Sequence, residues 1–175
     1  MKKIISKIFV LIAIMFTSCA KSQNNNLLSF DQYKSIEIGG VTLSLINETR
    51  GVHQDLNNLF NKSFQYSETD IPDNYREVSS NDFTIEFINN SHQTDYEISS
   101  IKILSNDVQI KIVDKNISIG DSIDSLGNVD IKNNTISYKI NSNSNEFFLT
   151  HTNFLLIVFD ENTRLVTGIE FIVMT

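Results

Sequence analysis

Phe83-Thr84-Ile85-Glu86-Phe87-Ile88 is the stretch on which the reading of this chain turns. Phe83, Ile85 and Phe87 alternate with Thr84 and Glu86, the period-2 pattern of a strand that buries one face. Working outward, the polar run Asn89-Asn90-Ser91-His92-Gln93 leads to Ile98, Ile101 and Ile103, and then to Val108, Ile110 and Ile112. Together these segments predict three strands with turns at 89–95 and 105–107. Upstream, Ile36 and Ile38, then Val41, Leu43 and Leu45, alternate with polar residues on either side of Gly39-Gly40. That pattern predicts a hairpin, because both turn residues of the favoured type need positive φ. Towards the C-terminus, Ile136/Tyr138/Ile140, Phe147–Leu149, Phe154–Phe159 and Leu165–Val173 read as further strands, the last two joined by a turn at Asp160-Glu161-Asn162-Thr163.

Helical signals are fewer. Val52, Leu56, Leu59 and Phe60 fall at i, i+4, i+7 and i+8, one face of a helix that Thr49 or Asn47 could cap. Residues 67–74 hold the chain's single proline, Pro72, and read as a loop. Gly120 to Gly127 reads as a compact helical turn with Asp121 at the N-cap, Gly127 as its stop, and Ile119, Ile123 and Leu126 on its apolar side. The expectation is an α+β domain, an antiparallel meander with one or two short helices on one face. It spans residues 30–175, with candidate repeats at 30–113 and 114–175. In each half a short run (Thr42–Leu45, Asn116–Ile119) precedes a helix, a strand (83–88, 154–159), a turn and a long Ile-rich strand. A helix–meander unit used twice explains that order, and chance likeness of two strand-rich halves is the other reading.

The N-terminus carries a different message. Lys2, Lys3 and Lys7 surround the start of an unbroken apolar run from Ile8 to Phe16, and Thr17, Ser18 and Cys19 follow. A basic start, a short apolar core and small residues at its end describe a secretory signal over residues 1–18. The run is too short for a bilayer core, which needs roughly 20 apolar residues. Phe16-Thr17-Ser18-Cys19 resembles the lipobox of bacterial lipoproteins, with Phe16 where that family prefers Leu. The resemblance implies cleavage before Cys19, acylation of Cys19, and a bilayer as the first partner. Several acyl chains on one residue supply the multiple signals that stable anchoring requires. Residues 19–29 are polar and Asn-rich and read as the lipidated Cys and a flexible tether. Surface-displayed lipoproteins of the Bacteroidetes type tend to carry acidic residues just after the Cys. Ala20, Lys21, Ser22 and Gln23 stand here, which by that resemblance favours the outer membrane facing the periplasm.

Composition excludes several functions. Cys19 is the only cysteine, so once lipidated it leaves no thiol for a disulfide framework, a cysteine zinc site or thiol catalysis. Without the three leader lysines, 11 basic residues face 21 acidic ones, a net charge of −10. That balance argues against nucleic acid and against direct adhesion to anionic headgroups; it suits a basic partner, and plain solubility is the blander reading of the same charge. His53, His92 and His151 stand in unrelated contexts, with no nucleophile-elbow motif, and none of the six glycines forms a phosphate-binding loop. Asp121, Asp124 and Asp130 lack the alternating ligands of a calcium loop, and helix capping is the plainer use of the first two. No enzyme, cofactor or metal site emerges. Tyr66, Tyr75 and Tyr96 lie near loops and are the candidate partner-contact residues, since tyrosine is favoured at interfaces.

Ile119-Gly120-Asp121-Ser122-Ile123-Asp124-Ser125-Leu126-Gly127 resembles the short helix motif that opens the repeat of β-lactamase-inhibitor-like folds and of SmpA/OmlA-type outer-membrane-assembly lipoproteins. The first half, with Arg50-Gly51-Val52, lacks the Gly-Asp-Ser cap. The resemblance implies an antiparallel sheet with helices on one face. The expected function is a lipid-anchored, non-catalytic protein-binding domain of inhibitor or immunity type. The alternative is a structural accessory of outer-membrane assembly.

Overall fold

The computed structural model describes residues 26–67, 74–89, 95–140 and 154–172. The chain opens with strand β1 (Leu27–Leu28), helix α1 (Phe30–Lys34), and strands β2 (Glu37–Ile38) and β3 (Val41–Thr42). Helices α2 (Leu43–Glu48) and α3 (His53–Phe60) follow, then β4 (Gln65–Tyr66), β5 (Tyr75–Ser79), β6 (Phe83–Ile88) and β7 (Glu97–Ile103). Strands β8 (Ile110–Ile112) and β9 (Lys115–Ile117) lead into a 3₁₀ turn at Ile123–Leu126. The described chain closes with β10 (Ile131–Lys132), β11 (Thr135–Ile140), β12 (Phe154–Phe159) and β13 (Val166–Ile172). The fold is α+β: sheets dominate, the meanders are antiparallel, and the helices are few and short.

The long sheet runs β1-β11-β12-β13-β7-β6-β5-β4, with β10 also paired to β11. The small sheet runs β3-β2-β8-β9. Both orders read alike from their centres. From the β7·β13 seam outward come β6, β5 and β4 on one side and β12, β11 and β10 on the other. From the β2·β8 seam outward come β3 and β9. Read as two units, each would comprise a hairpin, a helical segment, a short strand and a three-strand meander. Both seams are antiparallel, as a two-fold relation between units requires. β8 pairs with both β2 and β9, so a two-unit reading of this order would group β8 with β9 rather than with the residues before it.

One face of the long sheet holds the core. Phe83, Ile85 and Phe87 on β6, Ile101 and Ile103 on β7, Leu155 and Ile157 on β12, and Ile169 and Phe171 on β13 are all buried. They alternate with outward residues such as Thr84, Glu86 and Lys102, which is the period-2 pattern realised. The helices cover this face: Phe60 of α3 stacks at 4.8 Å from Phe83, and Tyr33 of α1 at 5.1 Å from Phe171. Gly51 shows how closely the first helical segment approaches. It has φ +73°, and a Cβ there would stand 2.8 Å from Phe87.

Several local expectations change. Gly39 and Gly40 do turn the β2–β3 hairpin with positive φ, but the second strand stops at Thr42. Thr42 accepts a hydrogen bond from the Leu45 amide and starts α2, so Leu43 and Leu45 are helical. Helix α3 has Val52 at its N-cap with no side-chain hydrogen bond. Neither expected cap serves it: Thr49 closes α2, and the Asn47 side chain accepts from the Ile98 amide at 2.8 Å. Ser122, not Asp121, caps the 3₁₀ turn through the Asp124 amide, while Asp121 accepts from the Ser118 amide. Leu27 and Leu28 form β1, parallel to Lys139 and Ile140, and Asn26 is buried, so the folded unit begins inside the expected 19–29 tether. The expected leader 1–18, Cys19, the Phe147–Leu149 strand and most of the 67–74 and 89–95 segments lie outside the described residues.

Two substitutions test this packing. The Tyr33 hydroxyl is buried with no partner among the described residues, and an unsatisfied buried polar group costs about 1–3 kcal/mol. Tyr33→Phe keeps the ring contact with Phe171, and a thermal melt is expected to rise by about 2–4 °C. Val113, in the β8–β9 turn, has φ +57°, a strained conformation for a β-branched residue at about 1–3 kcal/mol. Val113→Gly relieves it, and urea unfolding is expected to show a stability gain of about 1 kcal/mol with an unchanged slope.

Candidate contact surface

The outward face of the long sheet is built by alternation. Tyr75 and Glu77 of β5 and Glu86 and Ile88 of β6 stand on it because Val78, Ile85 and Phe87 take the core side. Register then sets the neighbours. Glu77 lies directly across from Glu86, and Tyr75 across from Ile88. Two like charges face to face across a sheet repel, at a cost of a few tenths of a kcal/mol to about 1 kcal/mol. The structure softens one of them: Ser100 on β7 donates to Glu86 Oε2 at 2.7 Å. Partial burial, then the neighbouring carboxylates of Glu86 and Glu77, hold the Tyr75 phenol above the usual tyrosine range. Tyr75 therefore stays a neutral donor at any physiological pH. Nearer the other end, Leu156 and Val158 of β12 and Ile172 of β13 share this face, half-exposed or exposed, with Gly168 opposite Val158.

The other two tyrosines stand elsewhere. Tyr66 pairs with Val78 and so takes the helix side at the β4 edge, where its exposed ring meets His53 edge-on at 4.8 Å. Tyr96 carries the Arg76 guanidinium over its ring at 3.7 Å. Arg76 in turn donates to the Arg50 carbonyl at 2.8 Å, and Arg50 pairs with Asp95 at 2.8 Å. Tyr96 thus braces the left-handed Arg50–Gly51 turn between α2 and α3. The three tyrosines do not make one patch: Tyr75 belongs to the outward sheet face, Tyr66 and Tyr96 to the helix side.

A second outward feature was missed in the sequence. Strands β1 and β10 flank the same edge of β11, and a groove of about 320 Å³ opens there, lined by Asn26, Leu27, Asp130, Lys132, Thr135, Ser137 and Lys139. Its signal was the alternation of Thr135, Ser137 and Lys139 with buried Ile136, Tyr138 and Ile140. The neighbours β1 and β10 could not be read from sequence. Beyond Leu27 a further cavity of about 340 Å³ is lined by the β8–β9 turn, Gly127 and Tyr138. Burial, and then the charge of Asp114, push the Tyr138 phenol up to about 12.

Catalytic geometry is not assembled around the described histidine. His53 stacks on Tyr66, and its Nδ1 is buried without a partner among the described residues. His92 and His151 lie outside those residues, as does Cys19. Among the described residues no three His, Cys, Asp or Glu side chains converge closely enough to hold a metal ion, and no helix is long and apolar enough to cross a membrane. Asp124 pairs with Arg164 at 2.7 Å, a tie between the 3₁₀ turn and the β12–β13 turn, and the Arg164 hydrogen bond holds its carboxyl below the usual range. Comparison with family models, with curated proteins and with solved structures found no match to this chain.

Proposed function

We propose that this chain is a bacterial envelope lipoprotein, anchored through Cys19 to the outer membrane and facing the periplasm, whose domain binds another protein without catalysis. The binding face is the outward side of the long sheet, and the partner reading is of inhibitor or immunity type. The observation that carries it is the Glu77–Glu86 pair, set face to face beside Tyr75 and Ile88. Folding alone gains nothing from that repulsion, whereas a Lys or Arg from a partner placed between the carboxylates removes it. Tyr75 supplies a rigid aromatic with a polar tip, and Ile88, Leu156 and Ile172 supply half-buried apolar area, the mixture found at the centre of protein interfaces. The domain's net acidity speeds encounter with a basic partner.

Stability and binding should move in opposite directions at this pair. Glu77→Lys turns repulsion into attraction, so the melting temperature at low salt is expected to rise by about 1–3 °C. The same variant is expected to lose the partner that the wild type retains in a cross-linked pull-down from envelope fractions mixed with secreted material. A basic secreted protein held by the wild type and lost from Glu77→Lys and from Val158→Asp supports the inhibitor reading. A resident outer-membrane protein with that dependence replaces it with the accessory role in envelope assembly. A partner held equally by all three proteins removes the sheet face from consideration.

A further inference from the structure

We propose that the groove at the β1/β10 edge of the long sheet binds the phosphate of an anionic lipid headgroup in the bilayer that holds Cys19. The inference rests on the lipid-anchor reading above. Its geometry comes from a gap in the sheet. Strand β10 pairs with β11 at Thr135 and Ile136, and β1 pairs with it at Lys139 and Ile140, so Ser137 and Tyr138 have no strand partner on that edge. Alternation turns Thr135, Ser137 and Lys139 outward, and register places Lys132 beside Thr135 and Leu27 beside Lys139.

Three of the donors in this groove have no partner among the described residues. Neither the Lys132 nor the Lys139 ammonium has a partner among the described residues, a state shared by Lys102 in mid-sheet, whereas Arg50, Lys62, Lys111, Lys115 and Arg164 are paired. The Ser137 hydroxyl is likewise unbonded there, while Thr135 donates to the Asn133 carbonyl at 3.2 Å. Asp130 is the single carboxylate lining the groove, against two ammonium groups. In a domain this acidic, two unpaired lysines beside a free hydroxyl form a local basic site with the donor chemistry a phosphate takes.

Location selects the source of that phosphate. Asn26 is fixed into the fold through both ends of its side chain, which bonds the Asp130 amide and carbonyl at 3.0 and 2.7 Å. Asn26 lies seven residue steps after Cys19, and a chain of that length spans about 25 Å at most. The groove therefore stays within that reach of the acyl chains. Leu27, 41% exposed, stands beside Lys139 on the groove side, whereas Ile131 pairs with Ile136 and takes the other side of the sheet. An exposed leucine beside a lysine suits the boundary between headgroups and acyl chains, where lysine is drawn to an anionic surface. Overall acidity does not oppose this contact, because charges farther away than about 10 Å are screened at physiological salt.

The test is a lysine-reactivity footprint of the full mature protein, purified with its lipid. It is measured in neutral detergent, in phosphatidylcholine nanodiscs and in nanodiscs containing phosphatidylglycerol. The expected result is acylation of Lys132 and Lys139 slowed about three-fold or more by phosphatidylglycerol, with Lys34 and Lys102 unchanged. Equal reactivity in detergent and in both discs overturns the proposal. So does equal protection in phosphatidylcholine, which reports proximity alone, or equal protection by inorganic phosphate in detergent, which makes the ligand a free anion. The intact mass is read first. A purified protein lacking acyl mass on Cys19 ends the anchor reading and this one together, whereas an acylated protein with an unprotected groove ends this one only.

Discussion

The antiparallel pairing of Ser100–Ile103 on β7 with Ile169–Ile172 on β13 is the contact on which the rest of the fold depends. Each three-strand meander offers one apolar face and one free edge, and a small sheet standing alone is marginal in water. Joining the meanders through β7 and β13 removes both inner edges and merges the two apolar faces, with Ile101, Ile103, Ile169 and Phe171 all buried at the seam. The pairing of β2 with β8 repeats the device in the small sheet. Both seams are long-range, so neither unit has its complete core until the other is present. The stacked Phe60, Phe64 and Phe83 close the first unit's side of that core, and Tyr33 against Phe171 ties the N-terminal helix to the second.

What was legible in the sequence follows from the range of the forces involved. Alternation is local, so β6, β7, β11, β12 and β13 could be placed from their apolar positions, and Gly39-Gly40 could be read as a hairpin turn. Helix α2 was missed because Val41, Leu43 and Leu45 also alternate. The deciding features were Thr42 as a cap and the i, i+3 spacing of Leu43 and Ile46, both buried on one helical side. The Asp121 expectation failed by one residue, since a side-chain oxygen at either 121 or 122 can reach a nearby amide. Leu27-Leu28 looked like tether because two residues carry no period, and only β11, more than a hundred residues away, makes them a strand. The partition into two sheets was not legible at all: β8 has the same pattern whether it extends the meander or pairs with β2.

The contact residues show the same limit. Tyr66, Tyr75 and Tyr96 were grouped because each lies near a loop, yet loop proximity does not say which side of a sheet a residue takes. Parity does. Tyr75 is odd against Val78 and faces out, whereas Tyr66 stands opposite Val78 and shares its side. The cross-strand meeting of Glu77 with Glu86, like the gap between β1 and β10, exists only once register is known.

Charge is also organised along the sheet in a way that a net value hides. The acidic pair sits on β5 and β6, and the unpaired lysines sit on β10 and β11, with all four side chains on the outward face. Five strand steps separate β5 from β11 in the sheet order, about 24 Å at the usual strand spacing. One face thus carries a basic edge and an acidic edge. The basic edge is the one next to Asn26, where the chain leaves for Cys19. A bilayer that holds the anchor and meets Lys132 and Lys139 turns the Glu77–Glu86 end away from the lipid. The proposed headgroup contact at one edge and the proposed protein contact at the other would therefore not compete for the same surface. Under the two proposals together, the first contact would orient the face on which the second takes place, with the acidic end farthest from a negative membrane that would otherwise repel it.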